Sequence, residues 1–206
     1  MPERERDAEP LKDRAESWPV SSSVDLFRDD WVMALRSDAV SRPGAGDEEF
    51  PRLVFEHPGA VMVLAVDDQQ RALVLRQYRH PARMRFVELP ADLCDVDEED
   101  PLAAAQRELQ EEAQLRAASW EHLLTTHPSP GISSERMEIY LATGLSPAGR
   151  GDFELEPEEA DMTVSRVRVD DLLEAVLASE VTDGPLGLAV MAYALRKRGR
   201  GSQPSG

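Results

Sequence analysis

Three glutamates, Glu108, Glu111 and Glu112, lie three and four residues apart within Arg107-Glu108-Leu109-Gln110-Glu111-Glu112. On a helix these spacings bring all three onto neighbouring positions of one face. Like charges so placed repel by a few tenths of a kcal/mol each. A folded chain tolerates that cluster most easily when a cation sits on it. Carboxylate oxygens are the ligands that hard Mg²⁺ or Mn²⁺ prefers. The chemistry this predicts is metal-assisted attack on a phosphate chain. By themselves the same residues also describe a solvated charged helix face, so their surroundings must decide.

The helix that carries them is well punctuated. Asp100 is a good N-cap and Pro101 suits the first helical position. Leu102, Ala105, Leu109 and Ala113 form an apolar stripe about a quarter-turn from the carboxylates, so core face and metal face are expected to be separate. Upstream, Ala60–Val66 reads as a buried strand, Asp67–Gln70 as a turn and Ala72–Tyr78 as the hairpin partner. Before Pro58-Gly59, a segment starting at Trp31 and a return strand over Arg52–Glu56 predict an N-terminal hairpin around the turn Ser41–Asp47. Downstream, Trp120–Thr126, Met137–Thr143 and Met162–Val169 read as strands. Asp170–Ser179 and Leu186–Leu195 read as closing helices. Residues 149–161 read as a long acidic loop, a composition that also describes a solvated segment.

Composition sets the wider bounds. The chain has 206 residues, of which 41% are hydrophobic, enough for one core. Its formal net charge of −17 argues against a nucleic-acid backbone or an anionic membrane as partner. No apolar run reaches the roughly 18 residues of a membrane span, and the N-terminus lacks the apolar stretch of a signal peptide. Cys94 is the one cysteine, which excludes an internal disulfide and fits a reducing cytoplasm. It reads as a small packed side chain, since no helper group marks it as a nucleophile. Residues 1–16 and 196–206 are expected to be disordered tails. Between them, residues 17–57 would form the hairpin region and residues 58–195 the main domain.

Glu99, seven intervening residues, Arg107-Glu108-Leu109-Gln110-Glu111-Glu112 and Leu115 resemble the second half of the Nudix hydrolase signature, G-x5-E-x7-R-E-U-x-E-E-x-G-U, with U aliphatic. Further blocks are similar to the ADP-ribose pyrophosphatase branch of that family: Glu56–Ala60, Arg76–Pro81, Glu88-Leu89-Pro90-Ala91 and Ser129-Pro130-Gly131. Pro130 stands 15 residues past Leu115, close to where that branch carries a proline. Two positions depart from the pattern. Asp92 occupies the place of the first motif glycine, with one extra residue before Glu99, and Gln114 that of the last. Glycine there would permit positive φ or a close approach of backbone to ligand, so the departures predict altered loop geometry. Asp92 also adds a carboxylate beside the metal site.

The resemblance implies an α/β fold of the α-β-α sandwich type, with a mixed sheet and a small antiparallel N-terminal sheet. It implies that the Ala91 carbonyl, Glu108 and Glu112 ligate Mg²⁺ (or Mn²⁺), with Glu111 assisting and Arg107 fixing a helix carboxylate. Such cations would neutralise a pyrophosphate and lower the pKa of the attacking water. A glutamate of the acidic loop, Glu158 or Glu159, would be the base. Arg79, Glu88, Pro130 and Gly131 would contact substrate, while His57 and His80 are expected to be structural. Phe27 and Trp31 are either core residues or platforms for an adenine bound by a neighbouring subunit, because members of this branch are usually homodimers through the N-terminal sheet. The implied activity is hydrolysis of ADP-ribose to AMP and ribose 5-phosphate. Another nucleotide sugar or a dinucleotide is the alternative substrate, and a nucleotide-sensing domain without catalysis the alternative class.

Overall fold

The computed structural model of the chain describes residues 11–30, 33–44, 46, 48–96, 99–149 and 162–201. Strands β1 (Val20–Arg28), β2 (Ala34–Ser41) and β3 (Glu49–Glu56) form an antiparallel sheet in that order. The expected hairpin is therefore a three-stranded sheet. β1 escapes a reading of alternation because it is exposed along its whole length and opens on Ser21-Ser22-Ser23. With no buried face, nothing selects a period of two. The second strand also starts at Ala34 rather than at Trp31, and Trp31 lies outside the described residues.

The main sheet has seven strands. β4 (Ala60–Val66), β5 (Arg71–Arg79), β8 (Leu115–Thr126), β9 (Met137–Pro147) and β10 (Thr163–Arg168) run in the order β10-β5-β4-β9-β8. β6 (Met84–Glu88) adds to β5 and β7 (Ala91–Leu93) to β4. The β4–β9 pairing is parallel and the others are antiparallel, so the sheet is mixed. Every residue of β4 is buried. That suits a strand of unbroken apolar residues at the centre of a sheet covered on both faces.

Alternate residues of β4 serve opposite layers. Val61, Val63 and Ala65 pack with Ala104, Ala105 and Leu109 of helix α1 (Pro101–Ala113). Met62, Leu64 and Val66 pack with Leu172 of α2 (Val169–Leu177) and with Leu186, Ala189 and Val190 of α3 (Gly184–Gly201). The result is the expected α-β-α sandwich. Leu109 is wholly buried, so truncation to alanine should cost about 2–5 kcal/mol.

The C-terminal boundary needs correction. A tail was expected from Arg196, but α3 continues through Gly201. Its last turns are fastened to the domain. Arg196 donates to the Glu121 carboxylate at 2.8 Å and to the carbonyls of His122 and Leu123. Lys197 reaches Gln70 Oε1 at 2.7 Å. Basic residues are also favoured at a helix C-terminus. β8 likewise starts at Leu115, directly after the Gln114 cap, and not at Trp120.

Candidate active site

Helix α1 begins as its residues dictate. The Asp100 side chain accepts from the Leu102 N–H at 3.0 Å, and Pro101 occupies the first turn. It ends at Gln114, whose φ of 53° and ψ of 40° are left-handed. The motif's last glycine would hold this conformation freely, whereas Gln114 holds it at a steric cost. The Gln114 N–H caps the Gln110 carbonyl at 3.0 Å, and its own carbonyl accepts from Ala148 at 2.7 Å. Asp92 is different. It has no positive φ and forms the middle of β7, paired with Val61, so nothing in its backbone calls for glycine.

The three helix glutamates do not share one environment. Glu108 and Glu112 are buried, with 4% and 6% of their surface exposed. They flank the buried Leu109, so the metal face and the core face are adjacent rather than separate. Glu111 is only partly buried, and its Oε2 accepts from Arg107 Nη1 at 3.1 Å. Arg107 also grips Glu99 through Nε at 3.3 Å and Nη2 at 3.0 Å, and reaches Asp92 Oδ2 at 3.0 Å. Hydrogen bonding to Glu99, then to Glu111 and Asp92, raises its pKa well above the usual arginine value. Arg107 is therefore a permanent cation held by three carboxylates.

Whether divalent cations fit can be judged from the two buried glutamates. Among the described residues no three His, Cys, Asp or Glu side chains converge on a common point able to hold an ion. Of the helix trio, Glu111 is hydrogen-bonded to Arg107. Glu108 and Glu112 each make other interactions, but Glu108 Oε1 and Glu112 Oε2 are buried and accept no hydrogen bond from the described residues. Acceptors buried in that state are costly unless a cation supplies the missing partner. Two such carboxylates, completed by a main-chain carbonyl and water, match what Mg²⁺ or Mn²⁺ takes from protein.

On the other side of β4 lies a cleft of about 330 Å³. Met62, Ala91 and Met137 contribute apolar surface, and Arg79, Glu88, Glu135 and Asp183 contribute charge. Glu88, 6% exposed, accepts from Arg79 Nη2 at 2.8 Å and from Gln77 Nε2 at 2.6 Å. This bond raises the Arg79 pKa, and Glu112 lies near enough to add to the effect. Helix carboxylate and cleft arginine are thus electrostatic neighbours. Burial pushes the Asp183 carboxyl up, against a 2.8 Å hydrogen bond from the Leu186 N–H.

The structure places the remaining predicted residues as follows. Ala91 lines the cleft. Pro130 and Gly131 are exposed in the turn of the β8–β9 connection, where Pro128 and Glu135 face the cleft instead. Glu158 and Glu159 lie outside the described residues. His57 accepts from the Gly59 N–H through Nδ1 at 3.1 Å, and burial lowers its pKa, in keeping with a structural role. Burial likewise raises the Cys94 thiol pKa, which disfavours a nucleophile. Phe27 is 64% exposed and is not a core residue of this chain. Glu135 and Asp183 were not anticipated. Asp183-Gly184-Pro185 carries a helix-start signal, but nothing in the type or spacing of Glu135 marks it.

Residues 56–183 match the family described as NUDIX domain. The chain is 41% identical over 161 residues to an ADP-ribose pyrophosphatase of Mycobacterium tuberculosis, covering 78% of this chain and 76% of that protein. It is 34% identical over 146 residues to an ADP-ribose pyrophosphatase of Bacillus subtilis, covering 71% and 77%. A crystal structure described as an ADP compounds hydrolase superposes with a TM-score of 0.72 at 20% identity, covering 93% of this chain and 100% of that one. This last likeness concerns the fold.

Proposed function

The chain belongs to the Nudix family, and from that premise we propose that it is a pyrophosphohydrolase that converts ADP-ribose to AMP and ribose 5-phosphate. The observation that carries this reading is the buried pair Glu108 and Glu112, of which Glu112 lies near enough to Arg79 at the cleft to raise its pKa. The two ADP-ribose pyrophosphatases among its relatives supply the substrate.

In this reading Glu108, Glu112 and the Ala91 carbonyl hold divalent cations, Mg²⁺ first and Mn²⁺ as a substitute. When bound, these offset the charge of the pyrophosphate and lower the pKa of the attacking water. The residues do the rest. Arg79, held by Glu88, which Gln77 holds in turn, presents its guanidinium to a phosphate, a geometry suited to arginine. Arg107 fixes Glu111 and leaves Glu108 and Glu112 for the cations. Glu158 or Glu159 takes the proton from the attacking water. Pro130 and Gly131 shape the loop at the cleft rim.

Two further parts belong to the same proposal. The enzyme acts as a homodimer through its N-terminal sheet, where Val24, Leu26 and Phe27 of β1 are more than half exposed. It works in the cytoplasm, in keeping with its single cysteine. Among the described residues no helix is long and apolar enough to cross a membrane. The test of substrate is AMP release from ADP-ribose, other nucleotide sugars and dinucleotides, with Mg²⁺ and with Mn²⁺. A preference for ADP-ribose is expected. Metal-dependent cleavage of a different compound, with ADP-ribose untouched, would overturn the assignment.

A further inference from the structure

We propose that Asp92, which replaces a motif glycine, is a positioning residue. Through Arg107 it fixes the strand bearing Ala91 against the helix bearing Glu108 and Glu112. The inference rests on the reading of Ala91, Glu108 and Glu112 as cation ligands.

β7 has three residues and pairs with β4. Successive strand residues face opposite sides of a sheet. Ala91 accordingly lines the cleft, while Asp92, paired with Val61, faces the α1 layer. There its carboxylate is used twice. Oδ1 accepts from the Leu93 N–H at 2.7 Å, and Oδ2 accepts from Arg107 Nη1 at 3.0 Å. The same Nη1 holds Glu111 at 3.1 Å, and the opposite edge of the guanidinium holds Glu99. One arginine thereby joins β7, the segment entering α1 and the middle of α1 itself. The carboxylate that defines the position of β7 is one residue from the Ala91 carbonyl.

This gives the departure from the motif a physical sense. The chain is one residue longer than the motif between position 92 and Glu99, so the segment has more freedom to lose. A glycine would add more. Asp92 has no positive φ, so a side chain costs nothing there and supplies an anchor instead. Groups that orient metal ligands typically account for 10–100-fold in metal affinity.

The test is direct Mn²⁺ binding to the protein without substrate, followed by electron paramagnetic resonance, for wild type, Asp92→Asn, Asp92→Gly and Glu112→Gln. Asp92→Asn keeps an acceptor for the Leu93 N–H and loses the ion pair. Asp92→Gly restores the motif residue and removes the anchor. Both are expected to weaken Mn²⁺ binding by about tenfold or more, with Asp92→Gly the weaker. Repeating the titration in 1 M KCl separates anchoring from simple attraction, because charges at a distance are screened over about 3 Å at that ionic strength. The loss should persist. Asp92→Gly binding as tightly as wild type would overturn the proposal, as would a loss that vanishes in salt. If Asp92→Gly does not fold, Asp92→Asn alone decides by the same criteria. If Glu112→Gln binds Mn²⁺ like wild type, the metal reading falls and the proposal falls with it. If Glu112→Gln fails to bind while both Asp92 variants bind normally, the proposal alone falls.

Discussion

The backbone N–H of Phe55 donates to the carbonyl of Ile132 at 2.7 Å, which ties the last residues of β3 to the loop between β8 and β9. The return bond, Ser134 N–H to the Phe55 carbonyl, is 3.1 Å. Ser134 Oγ also accepts from the His57 N–H at 3.0 Å. The loop so held borders the cleft through Pro128 and Glu135. The N-terminal sheet is therefore bonded to a loop that borders the cleft.

Ser134→Ala removes the hydroxyl of that tie and leaves the backbone bonds in place. Ser134 is exposed, so the stability loss should stay below about 1 kcal/mol. Because the loop borders the cleft, KM should rise about threefold, the equivalent of a fraction of one hydrogen bond. Steady-state kinetics alongside a denaturant titration would show it. An unchanged KM would mean that the tie does not reach the substrate.

Gln114→Gly should stabilise the protein. A non-glycine residue at φ 53° carries a penalty of about 1–2 kcal/mol, partly offset by the greater freedom of glycine in the unfolded chain. The expected gain is about 1 kcal/mol, read as a higher midpoint in urea. A loss of stability would show that the Gln114 side chain contributes more than its backbone costs.

Light scattering should give twice the 22.9 kDa monomer mass. β1 leaves Val24, Leu26 and Phe27 exposed by 58%, 57% and 64%, and β3 adds Leu53 at 48%. An apolar sheet face next to an open edge strand is costly in a lone subunit. A stable, active species of monomer mass at micromolar concentration would remove the dimer and any site shared between subunits.

Much of this architecture is legible in the sequence, and the exceptions have physical causes. β4 and α1 declare themselves because each has a buried face and a marked end: an unbroken apolar run after Pro58-Gly59, and Asp100-Pro101 before a periodic stripe. β1 has no buried face and therefore no signature. The three carboxylates of α1 are equivalent by spacing alone, yet Arg107 separates Glu111 from Glu108 and Glu112. That partition depends on Glu99 and Asp92, which the fold brings in from outside the helix. Glu135 and Asp183 reach the cleft from two distant connections, so no local spacing could pair them with Arg79. The two altered glycines looked alike as letters and differ as backbone: position 114 needs left-handed φ and position 92 does not.

The catalytic base should be separable by substitution. A group that takes the proton must approach the water within about 3 Å, directly or through one further water, and Glu108 and Glu112 are assigned to cations. Of Glu158→Gln and Glu159→Gln, one should lower kcat by about 10²–10⁴-fold with KM nearly unchanged, and the other should have a much smaller effect. If neither alters kcat by more than a few fold, Glu111 becomes the better candidate.

The most direct measurement is AMP release from ADP-ribose at saturating Mg²⁺ by Glu112→Gln, set against wild type, with thermal melts of both. The substitution keeps the size of a buried side chain and removes its charge. The expected result is a rate at least about a hundredfold lower with an undiminished melting temperature, because replacing one of two neighbouring carboxylates also relieves their repulsion. A wild-type rate from Glu112→Gln would contradict the assignment of this helix as the seat of catalysis.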